Sequence, residues 1–378
     1  MEVLIVLPRL YEEFSTSQQD YNERYIGTLN CCTACTVTEV RNGEYTLSIS
    51  TTVNDECAEM LLSQRIIGAK PNPFDNIQFF EIQKTTRTID GTINVEAKHV
   101  KSFADNICSE GDTNYEGFVV PEHGTPKELW DLLMSNYITS ETPFTFASDI
   151  SVSKDFYLGF SVAESLGNIL GGKEGSFVDT FGGEYHYDNY SISFLQSRGS
   201  VKNYKIRYGK NISDCSQSES CETCYSHVLP MGKVSNGNRK MNFFAEQVEI
   251  PNSMSQYTKV YLLDCTDFLD QYTVGEHGEH YVEVRQAMRE YALNYAEINE
   301  LGKPKINISV DLRAELDEMS EIGLCDTVDV ILDNFGTTAT AKITKVVFDA
   351  IYERWEKIEV GTPKISVADL IIKGVGKI

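Results

Sequence analysis

The chain has 378 residues, 41% of them hydrophobic and 24% charged, enough for two to four domains of ordinary folded composition. Its 33 Lys and Arg stand against 56 Asp and Glu, and the net charge of −23 repels phosphate, which argues against a dedicated nucleic-acid or anionic-membrane binder. Tyr and Phe number 20 and 18 against 10 Pro, a balance suited to pleated, half-buried strand surfaces.

The opening Met1–Pro8 carries a short apolar run and an acid, Glu2, where a secretion leader carries base, so no leader is expected. No run approaches the roughly 18 apolar residues of a membrane span. Hairpin signals follow. Asn42-Gly43 separates Cys35–Arg41 from the alternating run Tyr45–Ser50, and Asp90-Gly91 separates Thr85–Ile89 from Thr92–Ala97. Each dipeptide is expected to supply the two positive-φ residues of a type I′ turn. Residues 1–105 therefore read as mostly antiparallel β.

Thr125-Pro126-Lys127-Glu128 is a capping box with Pro at the first helical position, and it predicts a helix over about 126–136. Ser161–Glu164 reads as a second capping box, with Leu166, Ile169 and Leu170 as the apolar stripe and Gly171-Gly172 as the stop. Two strands, Glu184–Tyr187 and Tyr190–Leu195, are joined by Asp188-Asn189. Strands are expected again over 201–210, 240–250 and 257–265, with Asn236-Gly237 joining Met231–Val234 to Met241–Phe244. Val284, Met288, Tyr291, Tyr295 and Ile298 mark a long helix that ends at Gly302 and Pro304. The last strands fall at Lys305–Val310, Thr327–Leu332, Thr340–Phe348 and Tyr352–Val360.

Chemistry is sparse. The chain contains no G-x-S-x-G elbow, H-E-x-x-H, Walker loop or G-x-G-x-x-G fingerprint. Cys31-Cys32-x-x-Cys35 and Cys215-x5-Cys221-x2-Cys224, with His227 three residues on, offer two readings. One is a zinc knuckle whose fourth ligand comes from His227 or from the first cluster. The other, the default where no secretion leader is expected, is ordinary buried or loop thiols. Glu276-His277-Gly278-Glu279-His280 has the residues for a metal but the polar setting of a solvated turn. No catalytic, cofactor or metal residue is assigned, and no cofactor is expected.

Three stretches resemble the N-terminal region of the phage minor structural, or prophage tail endopeptidase-type, family of tail-associated lysins and hub proteins. The first is Asn42–Leu47 with Gln78–Ile82 and Val95–Val100. The second, and most specific, runs Gly175–Glu184, Asp188–Ile192, Arg198-Gly199 and Ile206–Ile212, where Arg207 and Lys210 flank an exposed turn at Gly209 suited to an acidic neighbour. The third is Gly323–Val328, with Cys325 where the family often has Gly.

The resemblance implies a predominantly β, α+β multidomain hub: two tail-tube-like antiparallel β domains with an α+β domain inserted between them. The expected limits are 1–105 (completed by 201–235) for the first β domain and 106–200 for the insert. The second β domain takes 236–270 with 305–378, and 271–304 is a helical insertion. It further implies a homotrimer at the tail tip of a virion, joined to a distal tail protein and a tape-measure protein, with receptor-binding or fibre proteins around it. Three copies would carry three times −23, or −69, a charge useful in a lumen past which DNA slides; simple solubility is the other use of such a surface. The chain ends barely past the matching stretches, so the scaffold role and not the hydrolase is expected. The alternatives are a peptidoglycan endopeptidase and a host-surface adhesin.

Overall fold

The first seven strands are β1 (Arg9–Glu13), β2 (Tyr25–Thr28), β3 (Ala34–Val40), β4 (Tyr45–Thr52), β5 (Arg65–Ala69), β6 (Gln78–Arg87) and β7 (Thr92–His99), and burial alternates residue by residue in β3, β4 and β7. In β7, Ile93, Val95, Ala97 and His99 are buried while the residues between them face solvent, as period two requires. The computed structural model of the chain describes residues 7–13, 23–30, 32–54, 56–109, 122–156, 164–172, 175–207, 212–222, 224–236, 239–269, 271–275, 279–303, 305–312, 321–332, 337–361 and 364–365.

Both expected hairpins form, but with three-residue loops rather than type I′ turns. Val40 N donates to Glu44 O and Thr88 N to Thr92 O, closing loops over Arg41–Gly43 and Ile89–Gly91. Only one residue in each loop has positive φ, Asn42 at 52° and Gly91 at 85°. One left-handed residue suffices in a three-residue connection, whereas the two-residue I′ turn needs two.

The next segment holds short strands β8 (Cys108–Ser109), β9 (Glu122–Gly124), β10 (Thr145–Ser148), β11 (Lys154–Phe156), β12 (Glu164–Ser165), β13 (Glu184–Asp188) and β14 (Ser191–Leu195). Helix α1 (Pro126–Asn136) forms where the capping box places it. Glu128 Oε2 accepts from Thr125 N at 2.9 Å, and Leu129, Trp130 and Leu133 turn inward, with Trp130 stacked 4.7 Å from Phe146. The second box behaves differently. Ser161–Ala163 lie outside the described residues, and Glu164 sits in β12, paired with β8. Glu164 Oε1 instead accepts from the side-chain Nδ2 of Asn168 at 2.6 Å, while Ser165 Oγ caps the next turn by accepting from Asn168 N at 3.3 Å; Leu166, Ile169 and Leu170 are buried as expected. A short helix α2 (Phe177–Phe181) follows, capped by Ser176.

The remaining strands are β15 (Val201–Arg207), β16 (Ile212–Ser220), β17 (His227–Asn236), β18 (Arg239–Phe244), β19 (Val248–Glu249), β20 (Val260–Asp264), β21 (Lys305–Leu312), β22 (Thr327–Leu332), β23 (Thr337–Asp349), β24 (Arg354–Val360) and β25 (Lys364–Ile365), with helices α3 (Thr266–Leu269) and α4 (Tyr281–Ile298). The Asn236-Gly237 connection joins the expected partners, Met231 opposite Phe244 and Val234 opposite Met241.

One 14-stranded sheet dominates, with order β16-β21-β24-β23-β3-β4-β7-β6-β5-β1-β2; β15, β22 and β25 attach beside it. Its pivot is β23. Thr337–Lys342 pair with β22, while Lys345–Asp349 pair with β3. A single apolar core runs beneath both arms, uniting Val37, Leu47 and Phe80 with Ile343, Phe348 and Trp355. A second core holds the α1 region. The third lies between the sheet β18-β17-β19 with β20 and the α4 face of Val284, Met288, Ala292 and Ala296.

Strand pairing distributes the chain differently from the expected grouping at two points. Residues 227–264 form their own sheet under α4 rather than joining 305–360, and β15 and β16 pair with β22 and β21 rather than with strands before residue 105. The alternation that marks a strand carries no record of its partner.

Candidate functional site

The most densely organised polar region lies where the β3–β4 hairpin and the start of β6 meet β13, β14 and the turn before β22. Its parts are set by local backbone needs. Asn42 tolerates its left-handed φ because its short carboxamide bonds nearby backbone. Here it reaches across: Nδ2 donates to Gly183 O at 2.9 Å and Oδ1 accepts from Tyr185 N at 2.9 Å. Gly182 and Gly183 both have positive φ, 73° and 91°, a tight bend that glycine makes at little cost. Asn189, at φ 52° in the β13–β14 turn, plugs into the head of β6, accepting from Phe79 N at 2.8 Å and donating to Ile77 O at 3.1 Å.

His99 and Gln78 sit beneath this plug with no exposure. His99 Nδ1 accepts from Lys101 N at 3.1 Å, so Nε2–H donates to Gln78 Oε1, which also accepts from Asn189 N. The imidazole stacks on Tyr45 at 4.3 Å. Burial, and then the Lys101 charge, push its pKa well below the ordinary value; Asp75 pulls weakly the other way and His186 adds to the depression. The unfolded chain takes a proton near pH 6.5 that the folded chain refuses. This stability is therefore complete above that pH and is lost as pH falls below it. We expect His99→Gln to flatten the fall in unfolding free energy between pH 7 and 5 by up to ~1.4 kcal/mol per pH unit, read from urea unfolding at each pH. An unchanged slope would mean His99 titrates normally.

Beside it lies a buried ion cluster. Arg198 grips Glu39 with both guanidinium nitrogens, at 2.5 and 3.2 Å, and lies 3.8 Å from Asp75, which His186 also meets at 3.1 Å. Burial opposes the charge on Arg198, but Glu39 and Asp75 more than compensate and its pKa is raised. Asp75, which burial alone would raise, is lowered by its bonds to His186 and Asn72. Arg198 N donates to Glu184, whose other oxygen takes Lys342 Nζ of β23 at 2.6 Å. Gly199 lets the chain pass directly over the Cys325-Asp326 backbone. Asp326 Oδ1 then accepts from Ser200 N, and Oδ2 from Gly323 N.

The motifs from Asn42–Leu47 through Gly182–Glu184, Asp188–Asn189 and Arg198-Gly199 to Gly323–Val328 thus meet at one place. Of the last stretch of the second motif, Tyr208–Asn211 lie outside the described residues. Sequence reasoning missed Glu39, Asp75, Lys101 and Lys342; a buried acid at a strand's inward position, as Glu39 is, was the one available signal. Among the described residues the metal candidates do not gather. Cys31 and Glu276–Gly278 lie outside the described residues, as does the Cys215 side chain. Cys221 is exposed, Cys224 Sγ donates to Gly302 O at 3.2 Å, and His227 bonds Ser226 at 2.8 Å. His280 pairs with Glu283 on the surface at the head of α4. Among the described residues no three His, Cys, Asp or Glu side chains could hold a metal together.

No family model and no curated protein matches the chain. Solved structures do. The prophage tail protein gp18 from Listeria monocytogenes EGD-e has a TM-score of 0.52 at 12% identity, covering 98% of each chain. The 43 kDa tail protein of prophage MuSo2 from Shewanella oneidensis gives 0.57 at 10%, over 94% of this chain and 98% of that one. The tail protein from Neisseria meningitidis MC58 gives 0.54 at 9%, over 95% and 96%. The fold is that of phage tail proteins.

With coverage this complete, the tail-protein fold takes in all three cores and the junction itself. Within it the buried charges are spent on one another: each of Glu39, Asp75, Glu184 and Asp326 already has a cation or backbone donor. Such a cluster fastens segments together.

Proposed function

We propose that the chain is a non-enzymatic structural subunit of the hub at the distal end of a phage or prophage tail. It closes the tail tube and joins it to baseplate or tail-tip proteins in the virion, with DNA passing at ejection. The observation that carries this reading is the near full-length likeness to three tail proteins. The resemblance of the motifs to tail-associated lysins and hubs supports it, because those motifs build the junction that fastens the insert to the large sheet. The two arms of that sheet are the tube-like domains of the reading, in a homotrimer that meets a distal tail protein and a tape-measure protein. Among the described residues the main path of the sheet ends in β2 and β16, and unpaired strand edges are a means of joining copies.

Light scattering on a sizing column tests it. A mass of three chains is the expected result, and a monomer at every concentration, with the distal tail partner present, would overturn the hub. Purified cell walls should keep their turbidity in the presence of the protein, whereas clearing would favour a peptidoglycan endopeptidase. Saturable binding of the isolated protein to whole cells would favour an adhesin.

A further inference from the structure

Strand alternation in β17 sends Val228, Pro230 and Val234 under α4, so Leu229, Met231 and Lys233 face outward. The neighbouring strands set apolar beside apolar: Phe244 of β18 lies opposite Met231, and Leu262 of β20 lies beside Leu229. Phe244 and Leu262 are each 62% exposed and Met231 44%. A sheet with one face on a core normally shows polar residues on the other. Here that face carries an apolar strip, of the kind that marks an interaction surface. Lys233 and, on β18, Lys240 stand exposed at its hairpin end. Asp264 shares the face but turns to its own Thr266, whose N and Oγ1 donate to it at 2.9 and 2.6 Å.

A second exposed apolar group lies at one end of the large sheet. Val53 follows β4, Met60 and Leu62 flank the buried Leu61, and Ile89 stands fully exposed in the β6–β7 loop. Three bonds gather these pieces: Val53 N donates to Gly91 O at 3.0 Å, Arg87 Nη2 to Ala58 O at 3.1 Å and Thr85 Oγ1 to Leu61 O at 2.9 Å. Glu56, Glu59 and Asp90 are exposed among them, while Arg87 and Arg65 direct their guanidiniums to the Ala58 and Met60 carbonyls.

We propose that the β17–β18–β20 face of one copy of this chain docks on the Val53–Ile89 end of another. The apolar strip meets the apolar group, and Lys233 and Lys240 meet Glu56 and Glu59. Charge selects this occupant. Copies carrying −23 each repel, so they join where opposite signs meet over apolar surface. The two patches differ, which makes the contact heterologous, and a heterologous contact closes into a ring rather than a two-fold pair. The inference rests on the homotrimer proposed above and names the surfaces that join its copies.

Light scattering of the full chain tests it, with circular dichroism to confirm that each surface variant folds. The parent should have the mass of three chains. Phe244→Glu and Ile89→Glu should each give single chains at the concentration where the parent assembles. Each of these variants spoils a different patch, so a concentrated equal mixture keeps one good contact and should give two chains and no more. Lys233→Glu with Lys240→Glu should weaken assembly about tenfold, the worth of two lost charge pairs, and adding Glu56→Lys with Glu59→Lys should restore it. Trimers that survive both single substitutions, a mixture that stays monomeric, or a charge reversal without effect would overturn this contact and leave the hub standing. A parent that is monomeric on its own overturns the contact as well, and the hub falls with it only if the distal tail partner also fails to assemble the chain.

Discussion

Replacing Arg198 by Met is expected to lower the unfolding free energy by about 3–5 kcal/mol, the usual cost of removing one partner from a buried ion pair. Arg198 and Glu39 are 11% and 7% exposed at their side chains, so water cannot take over the charge left behind. Asp75 loses a cation too, and the Met side chain cannot reproduce the bond to Tyr185 O. Urea unfolding of the two proteins measures the difference. Adding Glu39→Gln should recover part of the loss, because the double change removes the stranded charge, and the two effects should fall short of adding. A loss below about 1 kcal/mol for Arg198→Met would place the pair among ordinary surface contacts.

Gly199→Ala should cost about 3 kcal/mol or more, at the upper end of overpacking effects. A Cβ there would lie 2.1 Å from both the carbonyl carbon and oxygen of Cys325, and 2.4 Å from Asp326 N. All three are backbone atoms, so no rotamer change relieves the overlap. The segment must lift, and lifting it stretches the Ser200 N–Asp326 and Thr327 N–Ser200 O bonds, 2.8 and 2.9 Å long. Gly124→Ala is the control. Its new Cβ would meet only Glu128 and Leu129 side chains at 3.4–3.5 Å, ordinary contact distance, so the change should stay within ~1 kcal/mol. Similar losses at both positions in urea unfolding would refute the crossing described here.

Much of the local structure was legible because its causes are local. The Thr125–Glu128 box, the four-and-three spacing from Val284 onward, and the Asn-Gly and Asp-Gly pairs each act within a few residues, and each marks an element that forms. Turn type was misjudged because the dipeptide fixes where the chain reverses, not how many residues the reversal takes. Glu164 reads as a capping-box residue but lies in a strand, and the capping of the next turn falls to Ser165. The junction was legible only as a set of motifs: nothing in Glu39 or Asp75 announces a common partner at Arg198, some 120–160 positions away in sequence. Cys325 shows the same limit. Its φ of 70° explains a glycine-like position, but the Gly199 crossing over its backbone is hidden by sequence order.

The pairing of β3 with β23 has a consequence for the order in which the protein takes shape. Val40 finds its partner Lys345 only after roughly 300 further residues have been made. At ~5–20 residues per second that is a wait of about 15–60 s. Throughout it, β3 emerges from the ribosome hydrogen-bonded on one side only, to β4, with its other edge open to any strand that passes. The N-terminal strands are thus sealed by a strand made roughly 300 residues later, and folding begun early waits for it.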